Sequence, residues 1–230
     1  FIKRSLKDEN VHIIGSNIDQ TLILANIKNP YTKLGFIDKC IAASFYYNIT
    51  PILVFNKIDI LNNDEFKKLE EIISIYKNID ISTFYISAEK GDNIDILEIK
   101  LKNKKTLLLG NSGVGKSTLI NKISKTSNQR TNDLSAKTSR GKQTTTFSEI
   151  FDLKVSGSIT DTPGFKDFNF FDIDKSDLSF LYPEFNLRNK CKFKNCLHKN
   201  EPDCAIKENI GKQINIKRYN NYLSILNEII

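Results

Sequence analysis

The stretch Thr106-Leu-Leu-Leu-Gly-Asn-Ser-Gly-Val-Gly-Lys-Ser-Thr-Leu-Ile120 decides how the chain folds. Thr106–Leu109 reads as a buried strand, and Ser117–Lys125 reads as a helix. Between them, Gly110 to Ser117 fits the pattern G-x-x-x-x-G-K-[ST], which requires that strand-loop-helix setting. Gly110, Gly113 and Gly115 let successive backbone N–H groups of Asn111, Ser112 and Val114 turn inward to cradle phosphate oxygens. The helix N-terminus adds partial positive charge. Lys116 is placed to reach β- and γ-phosphates, and Ser117, beside Thr118, to ligate Mg2+.

Working outward, three further loops follow predicted strands. Ser158–Thr160 leads into Asp161-Thr-Pro-Gly164, where Asp161 suits a Mg2+ contact through water and Gly164 N–H suits a γ-phosphate. The apolar run Ile52–Phe55 leads into Asn56-Lys57-Ile-Asp59, and the Asp59 carboxylate can accept both N1–H and N2–H of guanine, a donor pair adenine lacks. Ser82–Ile86 leads into Ser87-Ala88-Glu-Lys90, whose backbone N–H groups suit guanine O6. Each loop alone is equally a polar strand-to-helix turn. Their joint position at strand ends in one chain weighs against that reading, and Asp59 argues for a GTP or GDP site over an ATP site.

Strands at 11–15, 21–25, 52–55, 82–86, 106–109, 147–155 and 158–160 alternate with helices at 34–48, 64–78 and 117–125. That alternation predicts an α/β fold with a mostly parallel sheet flanked by helices. The base-binding loops precede the phosphate-binding ones, which inverts the conventional order but keeps the cyclic order. A circular permutation preserves such a site because it is built at the carboxyl ends of parallel strands. After Gly164 the pattern changes to short aromatic-rich segments, a Cys/His cluster and a terminal helix over 214–230. The expected division is residues 1–10 as a linker or upstream remnant, 11–166 as the nucleotide domain and 167–230 as a small, mainly helical metal-binding domain.

Cys191, Cys196, His198 and Cys204 supply three sulfurs and one nitrogen within 14 residues, matching a closed tetrahedral Zn2+ site with a structural role. Disulfides would leave His198 unexplained and suit a secreted protein better. Cys40, on a predicted helix, and His12, in a predicted strand, read as structural. The net charge is +7, with 29 Lys against five Arg. Lys, Asn and Ile bias alone could supply it, yet residues 119–150 carry net +4 and 183–219 net +5, which fits an RNA surface. Arg188, Lys190, Lys192, Lys194 and Lys199 lie in the second of these. No apolar run is long enough to cross a bilayer and no secretory signal leads the chain, so a cytoplasmic monomer is expected. Met is absent even at position 1, which fits a fragment, a processed chain or omitted modified residues.

Taken together, Asn17-Ile-Asp-Gln20, Asn56-Lys-Ile-Asp59, Gly110–Thr118, Thr144-Thr-Thr146, Asp161-Thr-Pro-Gly-Phe165 and Cys191–Cys204 resemble the circularly permuted, ribosome-small-subunit-dependent GTPases (RsgA, also called YjeQ) over essentially the whole chain. The resemblance implies a GTPase acting late in maturation of the small ribosomal subunit in contact with its rRNA, the same four zinc ligands, and an upstream OB-fold domain. It also implies a hydrophobic residue, here Phe165, where a conventional GTPase has its water-positioning Gln. The family looks to a switch His before the threonines, but this sequence has Gln143, which cannot take a proton yet can orient water. Thr145 is favoured, on spacing, to meet Mg2+ and the γ-phosphate. With Lys116, these form the expected catalytic set. The alternative reading is a GTP-gated RNA-binding assembly factor with negligible hydrolysis.

Overall fold

In the computed structural model, which describes residues 2–5, 11–125, 148–161 and 173–229, the central strand is β3 (Gln20–Ala25), all six residues of which are buried. Such unbroken burial marks a parallel strand covered on both faces. We number the strands β1 (Ile2–Ser5), β2 (Val11–Gly15), β3, β4 (Thr50–Phe55), β5 (Ser82–Tyr85), β6 (Lys104–Leu109), β7 (Glu149–Asp152) and β8 (Gly157–Asp161). Six of them form one sheet in the order β5-β4-β3-β6-β8-β7. All neighbours are parallel except β7, which pairs antiparallel with β8 at the edge. Leu22 sits opposite Ile52 on one side and Leu108 on the other.

The alternation of side chains along β3 divides the interior in two. Ile23 and Ala25 face one layer with α1 (Leu34–Tyr46) and α2 (Asn63–Lys77), where they meet Ile37, Ile41, Leu69 and Ile73. Leu22 and Leu24 face the other layer with α3 (Ile94–Leu101) and α4 (Lys116–Ile123), meeting Leu97, Leu119 and Ile120. Asn62 and Glu65 close a reciprocal capping box at the start of α2, which fixes the loop leaving β4.

Three local expectations shift. The first helix stops at Tyr46 rather than 48, because Asn48 turns left-handed at φ +55°. The strand expected over 147–155 covers only Glu149–Asp152. Val11–Gly15 is a strand as expected, but it stands outside the main sheet and pairs antiparallel with Ile2–Ser5, within the stretch expected to be linker.

Beyond residue 172, short 3-10 turns at Leu178–Leu181, Pro183–Phe185 and Arg188–Lys190, the four-residue α5 (Ala205–Glu208) and α6 (Ile216–Glu228) surround a third core. Leu178, Tyr182, Phe185, Tyr222 and Ile225 fill it, and Ala42 of α1 joins it from the sheet side. The expected boundary at 166/167 falls outside the described residues.

Candidate functional site

Four strand ends converge on the loop Gly110–Gly115. Its shape depends on missing side chains at two points. A Cβ on Gly110 would stand 2.8 Å from Leu24 O, and Gly115, at φ +104°, would drive one into Asn56 Nδ2. Gly113 is left-handed as well, at φ +77°, while buried Val114 pins the loop to the core. The loop therefore runs straight into the N-terminus of α4, where backbone donors suit a polyphosphate. Lys116 Nζ donates to Gly110 O at 2.7 Å and Asn111 O at 3.2 Å, arching across that loop. Burial pulls its ammonium below the usual lysine range, with the Asp161 carboxylate acting the other way. Asp161 ends β8 opposite Leu108, one residue short of the loop's own strand end.

Asn56 ties three loops together. Buried at the end of β4, it donates from Nδ2 to Val114 O (3.0 Å) and accepts at Oδ1 from Ala88 N–H (2.9 Å). Lys57, left-handed at φ +62°, donates to Asn29 O at 2.6 Å and Gly113 O at 2.9 Å. Ser87, fully buried, donates to Asp59 Oδ1 at 2.6 Å and orients the exposed Asp59 carboxylate. Ala88 N–H, in the loop whose backbone donors suit guanine O6, donates to the buried Asn56 side-chain carbonyl in this structure. A buried amide oxygen left without a donor would cost about 1–3 kcal/mol. Gln143, Thr144–Thr146, Gly164 and Phe165 lie outside the described residues. Lys116, Ser117 and Thr118 open α4, as expected.

The second cluster is Cys191, Cys196, His198 and Cys204, whose ligand atoms all lie within 4.8 Å of one another. Cys191 Sγ is 3.9 Å from Cys204 Sγ and 3.6 Å from His198 Nδ1, and His198 Nδ1 is 3.4 Å from Cys204 Sγ. Tetrahedral Zn2+ with ordinary bond lengths holds such atoms about 3.6–3.8 Å apart, so this donor set fits the ion. No disulfide joins the four thiols of the chain. Burial pushes the Cys196 thiol up to about 12 and lowers the His198 imidazole. A buried thiolate needs a cation beside it, and ligation uses the neutral imidazole. Glu201 takes the N–H groups of Leu197, Lys199 and Asn200 at 2.8–3.0 Å, and Tyr219 and Tyr222 of α6 donate to His198 O and Leu197 O. These contacts hold the left-handed His198 (φ +58°) in place.

A family model for the RsgA GTPase matches residues 1–171. The small ribosomal subunit biogenesis GTPase RsgA of Flavobacterium psychrophilum is 43% identical over 229 residues, covering 98% of this chain and 70% of that protein. RsgA 2 of Bacteroides thetaiotaomicron is 39% identical over 231 residues, covering 99% of the chain and 74% of that protein.

The chain belongs to the RsgA GTPase family.

Among solved structures, YjeQ from Thermotoga maritima superposes with a TM-score of 0.78 at 30% identity, covering 96% of this chain and 77% of that one. YloQ, described as a circularly permuted GTPase, superposes at 0.75 over 99% of this chain and 78% of that one. At 22% identity it speaks for the fold alone. The permuted order read from the motifs is thus the RsgA architecture.

Sequence reasoning missed one buried network in this RsgA-type chain. Arg218 of α6 donates through Nε and Nη2 to Glu184 (2.6 and 3.0 Å) and through Nη1 to Asp38 of α1 (2.6 Å). Tyr76 and Asn221 also donate to Asp38. All three charged groups are at most 4% exposed. Burial works against the Arg218 cation, but Asp38 and Glu184 outweigh it and hold it protonated; burial pushes the Asp38 carboxyl up, against the charge of Arg218 and the hydrogen bonds of Asn221 and Tyr76. The only sequence signal is an Arg in a chain with 29 Lys and five Arg.

Proposed function

We propose that this chain binds GTP and hydrolyses it to GDP and phosphate during maturation of the small ribosomal subunit, in contact with rRNA. One observation carries the reading. Asn56, just after β4, bonds Val114 in the loop after β6 and Ala88 in the loop after β5, which supports a single site built from Asp59, the Gly110–Gly115 loop and Lys116.

In this reading Asp59 selects guanine by accepting its two adjacent donors. Backbone N–H groups of the Gly110–Gly115 loop and the start of α4 hold the β-phosphate, and Lys116 swings from its carbonyl partners to the β- and γ-phosphates. Mg2+, held by Ser117 and Thr145 with Asp161 behind a water, would offset charge on the transferred group. Gln143 orients the attacking water, since Phe165 has no polar group to do so. The zinc set Cys191, Cys196, His198 and Cys204 stays out of the chemistry, because four protein ligands leave no open position.

The test is GTP turnover with and without purified small subunits, followed by single-turnover rates for Gln143→Ala and Gln143→His. A rise with subunits and a loss of at least about tenfold with Ala support the reading. No rise with subunits overturns the coupling. Turnover unaffected by Gln143→Ala removes Gln143 from catalysis, and a large gain with His favours a GTP-gated binding factor.

A further inference from the structure

Beside the zinc cluster lies a cleft of about 450 Å3, within the size range of ligand sites. Phe180 stands on its rim 61% exposed, the most exposed aromatic side chain among the described residues. The Arg188 guanidinium lies 4.2 Å from the Phe180 ring centroid and donates to Phe185 O at 3.2 Å, which fixes its plane. Asn186, Asn189, Asn195 and Lys194 add polar lining beside Ser176 and Ser179, the floor is shared with Cys191, Cys196 and His198 of the zinc cluster, and no carboxylate of the described residues contributes to it.

We infer that this cleft binds an unpaired RNA nucleotide, its base stacked on the Phe180–Arg188 pair and its phosphate held by Lys194. The inference rests on the rRNA contact proposed above and deepens it. Three kinds of group are present, and each matches one part of a nucleotide. An open aromatic face with a stacked guanidinium offers a surface to any base. Neutral amides donate to and accept from base edges without repelling phosphate. The two cations, with no carboxylate between them, attract the backbone. An acidic peptide would use the cations but leave the exposed ring without a partner. Duplex RNA keeps its bases stacked inside, so a single-stranded loop or end is the form that fits.

The test uses the full 230-residue chain and a fluorescein-labelled, mixed-sequence RNA ten-mer. Anisotropy is read at fixed salt, with a duplex of the same length as the comparison. Phe180→Ala should weaken the single strand about 5- to 150-fold, the range for loss of one base–aromatic stack. Phe180→Tyr should restore it, and duplex and GTP binding should not change. Phe180 is exposed, so retained zinc content and GTP binding report that the variant folds.

Equal affinity of wild type, Phe180→Ala and Phe180→Leu overturns the stack, as does equal weakening of single strand and duplex. A loss with Arg188→Lys or Lys194→Ala but none with Phe180→Ala overturns it in favour of a purely charged partner such as an acidic peptide. Binding of small subunits is measured alongside. If the wild-type chain binds subunits while Phe180→Ala binds the ten-mer normally, only the pocket fails. If it binds neither, the rRNA reading beneath it fails too.

Discussion

Replacing Arg218 by Met tests what joins the C-terminal region to the nucleotide domain. The substitution keeps an unbranched side chain but removes three charge-assisted hydrogen bonds of 2.6, 2.6 and 3.0 Å. It also removes a cation 4.8 Å from the Tyr182 ring centroid. Glu184 and Asp38 would then face each other without a counter-charge, at 4% and 0% exposure. Removing one partner of a buried pair costs about 3–5 kcal/mol, out of a total stability of about 5–15 kcal/mol. The loss should depend on pH. Burial already pushes Asp38 up, and Arg218 is the largest force opposing that shift. In the variant the opposition from Arg218 is gone and burial holds Asp38 further above its unfolded value, so the folded state binds more protons. Stability then falls as pH rises from the ordinary carboxylate range through the raised folded value, and the deficit is larger at pH 7 than at pH 5. Urea denaturation by far-UV circular dichroism and Tyr fluorescence measures this, since the chain has no Trp. Glu184→Gln added to Arg218→Met should recover part of the loss. A variant within about 1 kcal/mol of wild type at pH 7, or a deficit that grows on acidification, would refute the argument.

Asp59→Asn turns an acceptor towards guanine into a group that also presents N–H. Two charge-assisted bonds worth about 1.5–3 kcal/mol each are lost, so GTP affinity should fall at least about 100-fold. Xanthosine triphosphate, which has an oxygen where guanine has its amino group, should gain. A nucleotide titration showing unchanged GTP preference would remove Asp59 from base selection. Cys204→Ser breaks the closed ligand set, so bound zinc should fall from one per chain and the chain should lose several kcal/mol of stability, structural zinc being worth about 10–16 kcal/mol in isolated fingers. Metal analysis and thermal melting read both; an unchanged melt with zinc absent would mean the core around Tyr222 holds without the ion.

What was legible in the sequence was local. The run Leu107–Leu109 followed by Gly110 shows a buried strand ending at a glycine-rich loop, and the structure has both there. Cys191 to Cys204 showed their ligand spacing within one short stretch. What stayed hidden joins distant segments. Asp38, in Leu-Gly-Phe-Ile-Asp-Lys-Cys, reads as the solvated face of a helix, because periodicity reports which face is polar and not what packs against it. Its partner lies 180 residues away. Val11–Gly15 likewise reads as a strand, yet nothing in it shows that Ile2–Ser5 is its neighbour rather than Gln20–Ala25. The loop Ser87–Lys90 shows its polar character in the sequence, but that Ala88 N–H meets the Asn56 carbonyl, 32 residues away, shows only in the fold.

The imbalance of 29 Lys against five Arg has a physical reading of its own. Where a point charge is enough, this chain uses Lys: Lys28 meets Glu65 and Lys192 meets Asp203 at partly or largely exposed positions, where such pairs contribute about 0–1 kcal/mol. Two arginines have described side chains, and each does something an ammonium cannot. Arg218 spreads its fork over two buried carboxylates, and Arg188 lays its plane beside a phenyl ring. A Lys at 218 could serve one carboxylate and would leave the other charged and buried; a Lys at 188 would have no plane to stack. Both described arginines therefore stand where geometry rather than charge alone is required: one where α6 meets α1, one at the rim of the cleft beside the zinc cluster.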